Sequence, residues 1–157
     1  MNWEQVCDDK RLADLPFKIE LNRQGQIIMS PARNKHSIFQ GRILRHLANL
    51  MKNGEAVPEC AVETIDGTKV PDVVWASDAK LKRFFDLPSW PEAPEICVEI
   101  MFESNTVEEM NSKRALYFER GAGEFWLCDE TGKMDFFSPA GSLAASKLCP
   151  GFPKSVA

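Results

Sequence analysis

Two stretches of this chain are apolar enough to be interior strands, and each carries one carboxylate. Lys69-Val70-Pro71-Asp72-Val73-Val74-Trp75 holds Asp72, and Ile96-Cys97-Val98-Glu99-Ile100-Met101 holds Glu99. Runs of β-branched and apolar residues read as strands. A charge inside such a run is unfavourable unless a partner compensates it. Any fold this chain adopts must therefore bring positive charge to both strands. A single divalent cation would serve both at once.

Side chains alternate along a strand, so Cys97, Glu99 and Met101 share one face, and Asp72 and Val74 point away from Val73 and Trp75. If the two strands pair, the carboxylates converge. Magnesium suits such a pair, because it takes one or two carboxylates and keeps waters for a substrate. Held against a phosphodiester, it would polarise a phosphoryl oxygen and ease ionisation of an attacking water. Lys113 follows on the next predicted helix, beside Met110, Leu116 and Tyr117 at the edge of the core-facing stripe. Its stem lets the ammonium reach the sheet, where it could orient water or stabilise charge at phosphorus. Arg114 is the competing cation.

Each of these residues also has an ordinary structural explanation. Pro-Asp at a strand start is turn chemistry, a strand glutamate is commonly ion-paired at an edge, and a helix lysine is commonly solvated. His36 and His46 read as surface or capping residues, with His36, at the start of its helix, able to face a substrate. Trp75, Trp90 and Trp126 read as core rather than as a base-stacking platform.

At 157 residues the chain has the length of one domain, 1–157, with room for a proper core. Its 44% hydrophobic and 27% charged residues fit a mixed α and β protein. The formal charge of −4 does not suggest a chain that coats nucleic acid or anionic membrane, and does not exclude one. A local basic surface at Lys80, Lys82 and Arg83 could still meet phosphates. Cys7, Cys60, Cys97, Cys128 and Cys149 are scattered without ligand spacing, as free thiols in a reducing compartment would be. Met1 to Gln5 lacks the layout of a signal peptide, and no apolar run approaches a membrane span. The expected location is the cytoplasm, with no membrane partner.

The pattern of elements predicts a helix from Trp3 to about Leu15, then a hairpin of Phe17 to Leu21 and Gln26 to Met29 around Asn22-Arg23-Gln24-Gly25. Ser30 to Arg33 reads as loop. Phe39, Ile43, Leu47, Leu50 and Met51 predict a helix from about Lys35 to Lys52, stopped by Asn53-Gly54. Ala56 to Ile65 and Lys69 to Trp75 predict a second hairpin around Asp66-Gly67-Thr68. Pro88, Pro91 and Pro94 make the stretch from Ala76 to Pro94 irregular, with a helical turn at Lys80 to Phe85. Glu95 to Met101 predicts the central strand. Ser104-Asn105-Thr106 caps a helix from Val107 to Arg120, ended by Gly121. Glu124 to Asp129 and Met134 to Ser138 predict a last hairpin. The Gly-, Ser- and Pro-rich tail from Pro139 is expected to pack loosely over an edge, with Leu148 and Phe152 as its apolar patch. The fold class is α+β around one sheet.

Several of these segments resemble the Uma2 family (DUF820) of restriction-endonuclease-like proteins, within the PD-(D/E)XK nuclease superfamily. Pro71-Asp72-Val73 is similar to the family's Pro-Asp-Val. Val98 to Thr106 is similar to its Val-Glu-Val-Leu-Ser-Pro-Ser-Asn-Thr stretch. Lys113, Tyr117, Gly121, Glu124, Trp126 and Asp129 resemble its Lys, Tyr, Gly, Glu, Tyr/Trp and Asp series, and Ser30-Pro31 with His36 resembles its upstream element. The resemblance covers nearly the whole chain. It implies a mixed β-sheet flanked by helices, with N-terminal and C-terminal hairpins and a metal at one edge.

It further implies Asp72 and Glu99 as metal ligands, with Mg2+, or Mn2+ in its place, as cofactor. Lys113 stands for the superfamily lysine, whose usual place two residues after the second acid is here Met101. The partner implied is nucleic acid, DNA first, cut by an endonuclease. A homodimer would suit cleavage of both strands. Phe102 and Glu103 replace the family's Ser-Pro beside the site. An added carboxylate there would either ligate or repel phosphate, which keeps a second expectation open: a nuclease-fold binding or regulatory module that does not cut.

Overall fold

The computed structural model describes every residue from Met1 to Ala157. Helix α1 (Trp3–Asp8) begins at a capping box, with the Asn2 side chain accepting from Gln5 N and Gln5 answering to Asn2 N. It is shorter than its apolar pattern predicts. Asp9 accepts from the Arg11 backbone and guanidinium, and turns replace helix up to Asp14, whose φ is +60°. Strands β1 (Phe17–Leu21) and β2 (Ile27–Pro31) form the expected hairpin, which runs two residues further than predicted and takes in Ser30 and Pro31. It stands as a separate two-stranded sheet.

Helix α2 (Asn34–Leu50) follows, burying Phe39, Ile43 and Leu47 at helical spacing. The predicted second hairpin is divided in two. β3 (Gly54–Pro58) pairs antiparallel with β6 (Val73–Ser77), and β4 (Val62–Thr64) with β5 (Gly67–Lys69) around the Ile65-Asp66 turn. Glu59, with φ +53°, and the two prolines Pro58 and Pro71 interrupt the ladder between them. Asp72 therefore lies one residue before β6 rather than within a strand.

Gly67 is required where it stands. Its φ is +82°, and a Cβ there would collide with the Leu21 and Asn22 backbone. The β4–β5 tip is thereby drawn against the end of β1, and Lys69 Nζ donates to Leu21 O at 3.1 Å across the join. This contact fixes the β1–β2 hairpin over the main sheet.

The main sheet has six strands in the order β10-β9-β8-β7-β6-β3, adding β7 (Ile96–Ile100), β8 (Glu124–Cys128), β9 (Met134–Ser138) and β10 (Gly141–Leu143). β7 and β8 are parallel, joined by helix α4 (Val107–Glu119), and every other pair is antiparallel. A parallel pair needs such a crossover. Short helix α3 (Asp78–Phe84) occupies the irregular stretch after β6.

One sheet face (Val73, Trp75, Ile96, Val98, Ile100, Trp126) packs on Phe39, Ile43 and Leu47 of α2. The other (Val74, Ala76, Cys97, Phe125) packs on Phe84 and Trp90 and on Tyr117 of α4. The three tryptophans Trp75, Trp90 and Trp126 are all core.

The tail departs from expectation. Cys149, Phe152 and Val156 belong to the first core cluster, and the Phe152 ring lies 4.5 Å from that of Trp126. The buried carboxylate of Glu124 pins this tail, accepting from Ser146 Oγ, Lys147 N and Leu148 N as well as from Trp126 Nε1. No helix is long and apolar enough to cross a membrane.

Candidate functional site

Antiparallel pairing of β6 with β7 sets Val73 opposite Val98, which brings Asp72 beside the C-terminal end of β7. Its Oδ2 accepts from Ile100 N at 2.7 Å, taking the place of a ladder partner. Gln40 of α2 donates to Asp72 O at 2.8 Å and steadies the backbone behind it. Glu99 lies on the Cys97 face of β7, toward α4, as alternation requires. Asp72 and Glu99 are each 1% exposed. Groups so deeply buried must be paired.

Two lysines pair them. Lys113 of α4 reaches the sheet, with Nζ 2.8 Å from Glu20 Oε1 and 3.3 Å from Glu99 Oε1. Lys18 comes from β1, with Nζ 3.0 Å from Asp72 Oδ1, 3.3 Å from Glu99 Oε2 and 3.0 Å from Val70 O. Glu20 is also buried, and its second oxygen accepts from Val70 N at 2.7 Å. Tyr117 donates its hydroxyl to Glu99 Oε1 at 2.6 Å. His36 Nε2 lies 3.2 Å from Asp72 Oδ1 without an aligned hydrogen bond, and its ring stacks on Phe102 at 4.4 Å.

Three carboxylates thus face two ammonium groups across one small volume. Burial opposes ionisation of Asp72, but Lys18 and His36 outweigh it and hold its pKa below the usual carboxylate range. Glu20 is likewise held low, with Lys113 and Lys18 overcoming burial. For Glu99 burial wins over the same two lysines, helped by the negative neighbours Asp72 and Glu20, and its pKa is raised. Lys18 remains firmly charged, because Glu99, Asp72 and Glu20 together overcome its own desolvation. Buried carboxylates displaced in opposite directions mark a functional-site candidate.

The donor chemistry fits a small divalent cation. Asp72 Oδ1 and Glu99 Oε2 already converge on one cationic nitrogen, and hard carboxylate oxygens suit magnesium or manganese. No group of three or more His, Cys, Asp or Glu side chains forms a ready cage. The two carboxylates would hold an ion together with waters and substrate.

The structure therefore brings Asp72, Glu99 and Lys113 together, the three residues the sequence singled out. Arg114 is not among them; its guanidinium stacks over the Phe137 ring at 4.4 Å. The basic surface at Lys80, Lys82 and Arg83 is misplaced as well. It lies on α3, beyond the far end of β6 from Asp72, roughly 16 Å along a five-residue strand. Lys80 there donates to Ala93 O at 2.6 Å, and Arg83 pairs with Glu92 at 3.1 Å. Glu103 pairs with Arg33 at 3.6 Å on the surface and does not join the buried carboxylates as a further ligand. His36 belongs at the site and not to the surface.

The sequence motifs do not mark Lys18 or Glu20, and mark Tyr117 only as a member of the family's residue series. The signal for the first two lay in the polar positions of the Phe17 to Leu21 alternation. Phe17 on the apolar side is 41% exposed, whereas Glu20 is 5% exposed.

A mixed sheet flanked by helices, with a buried carboxylate pair at the meeting of two central strands, places the chain in the restriction-endonuclease-like class of folds. The family model described as "Uma2: Putative restriction endonuclease" matches residues 8–146, and the chain belongs to that family. Its fold is similar to a crystal structure from Anabaena variabilis described as "a putative nuclease belonging to DUF820". The two are 16% identical, with 99% of this chain and 94% of that one covered at a TM-score of 0.77. At this identity the likeness speaks for the fold alone. No curated protein matches the sequence.

Proposed function

We propose that this protein is a metal-dependent endonuclease that hydrolyses phosphodiester bonds in DNA. The observation that carries this reading is the convergence of Asp72, just before β6, and Glu99 of β7 on one cation position beside a second half-buried lysine. Membership of a family described as restriction endonucleases supports it.

Asp72 and Glu99 would hold Mg2+, with Mn2+ as a substitute. When bound, the ion supplies Lewis-acid polarisation of the phosphoryl oxygen and a lowered pKa for water. Lys113 has three donors, of which Glu20 and Glu99 take two. The third is free to position the attacking water or to meet developing charge at phosphorus. Tyr117 and Ile100 N hold the outer oxygens of the two carboxylates, leaving Glu99 Oε2 and Asp72 Oδ1 to face the cation. His36 and Gln40 wall a cavity of about 210 Å³ that opens beside Asp72. A two-fold dimer would present one such site to each DNA strand.

Calorimetry with Mn2+ tests the site directly. Wild type should bind, and Asp72→Asn and Glu99→Gln should each abolish binding. Supercoiled plasmid offered to the loaded protein should then be nicked, and Lys113→Ala should suppress nicking while Mn2+ binding persists. Wild type that binds no Mn2+, alone or with DNA, overturns the proposal.

A second reading, a DNA-binding or regulatory module that does not cut, is favoured by one observation. Glu103 neutralises Arg33 beside the site and adds acidity where phosphate would approach. It predicts DNA retention without nicking in the presence of Mn2+.

A further inference from the structure

Neither the sequence motifs nor the family resemblance assigns Glu20 or Lys18, and of the two it is Lys18 that touches both Asp72 and Glu99. Its ammonium makes three contacts, to Val70 O, Asp72 Oδ1 and Glu99 Oε2, which uses all of its donors. Two of those contacts are to the carboxylate oxygens that face the proposed metal position. An ion bound at about 2.1 Å from both oxygens would overlap the ammonium. The geometry points to Lys18 as the residue that sets metal affinity: it fills the place between Asp72 and Glu99, and a divalent ion binds only as Lys18 withdraws. This rests on Asp72 and Glu99 being the metal pair.

Charge count supports the exchange. With Lys18 in place, Asp72, Glu99 and Glu20 face Lys18 and Lys113, one positive charge short of balance. With Lys18 withdrawn, the same three carboxylates face Lys113 alone. The deficit is then two charges, which one divalent ion neutralises. Adding the ion with Lys18 still present would instead set two cations in contact in a buried site, where repulsion is strong.

Lys18 also has somewhere to go. It lines the cavity of about 210 Å³ beside Asp72, and Ser37, Gln40 and Glu59 line the same space. Glu59 is exposed and makes no ion pair. Its carboxylate offers the displaced ammonium a solvated partner. Lys18 thereby raises the apparent metal Kd by the reciprocal of the fraction of molecules in which the place is empty. Filling in nine molecules of ten would weaken binding about tenfold.

Two measurements test this together. In wild type, Lys18 is labelled with an amine-reactive reagent with and without saturating Mn2+, and the label is read by mass spectrometry. Labelling of Lys18 should rise with Mn2+, and it should not rise in Asp72→Asn. In parallel, calorimetry compares wild type with Lys18→Met and Lys18→Gln. Both variants should bind Mn2+ about tenfold more tightly or better, melt at lower temperature without metal, and regain stability with it.

Equal Mn2+ affinity in wild type and variants, lost in Asp72→Asn, overturns the role of Lys18 and leaves the metal pair standing. So does unchanged Lys18 labelling at saturating Mn2+. Absence of Mn2+ binding in all of these proteins overturns both. If the variants fail to fold, the wild-type labelling decides.

Discussion

The hydroxyl of Tyr117 offers a sharp test of how the carboxylate pair is held. It donates to Glu99 Oε1 at 2.6 Å, the shortest contact that oxygen makes; Lys113 is 3.3 Å away. Tyr117 is fully buried and Glu99 is 1% exposed, so no solvent stands ready to replace the bond. Tyr117→Phe keeps the ring and its stacking on Phe125 and removes only the donor. Hydrogen bonds to charged groups contribute about 1.5–3 kcal/mol. The two lysines still neutralise Glu99 in the variant, so the expected loss is about 2 kcal/mol, near the middle of that range. For a chain of this length that corresponds to a fall in Tm of roughly 4–8 °C.

Urea unfolding of wild type, Tyr117→Phe, Glu99→Met and the double variant measures the coupling directly, since methionine leaves the hydroxyl no oxygen acceptor. The expected coupling energy is about 1.5 kcal/mol or more. A coupling under about 0.5 kcal/mol would mean that each residue is stabilised by something other than its partner. The hydroxyl would then have no part in aiming Glu99. Weakened Mn2+ binding in Tyr117→Phe would extend the conclusion from stability to orientation of the ligand.

Lys113→Met and Arg114→Met should separate two adjacent cations. The first strips a partner from both Glu20 and Glu99 and should destabilise by about 3–5 kcal/mol, whereas the second loses a contact with Phe137 of about 0.5–1 kcal/mol; comparable losses on urea unfolding would refute the assignment. Glu124→Gln tests a buried carboxylate that lies outside the site. Turning one acceptor oxygen into a donor leaves Trp126 Nε1 or the tail amides unpaired, at about 1–3 kcal/mol per group. Proteolysis should then begin within the residues after Pro139, while Mn2+ affinity stays at the wild-type value. An unchanged cleavage pattern would show that Glu124 does not anchor the tail.

What the sequence reveals of the site, and what it hides, follows from how each residue is buried. Asp72 and Glu99 are legible because each interrupts an apolar pattern and so demands a partner, whereas Lys113, at the edge of a helix stripe, is marked by the family resemblance. Lys18 and Glu20 interrupt nothing. They alternate with Phe17, Ile19 and Leu21, and simple periodicity assigns the apolar members to the interior. The hairpin lies instead across a site that is itself charged, so Lys18 and Glu20 are covered along with Leu21, while Phe17 is left in solvent. The contact that puts it there, Gly67 against the Leu21 and Asn22 backbone, joins residues more than forty positions apart. No local pattern encodes it.

Tyr117 is hidden for a different reason: a tyrosine in a helix stripe reads as core, and it is core, with only its hydroxyl reaching Glu99. The tail misleads because Gly, Ser and Pro report backbone irregularity rather than exposure. Cys149, Phe152 and Val156 pack into the first core cluster without any regular element beyond β10. The anchor is Glu124, which by residue type alone resembles the site carboxylates. What separates them is the partner set. Glu124 is satisfied entirely by neutral N–H and O–H groups of β8 and the tail, whereas Asp72 and Glu99 also depend on ammonium groups drawn from β1 and α4. A carboxylate held by neutral donors is fixed in place. One held by an ammonium group can exchange it for another cation, and that difference makes Asp72 and Glu99 the candidates for metal chemistry.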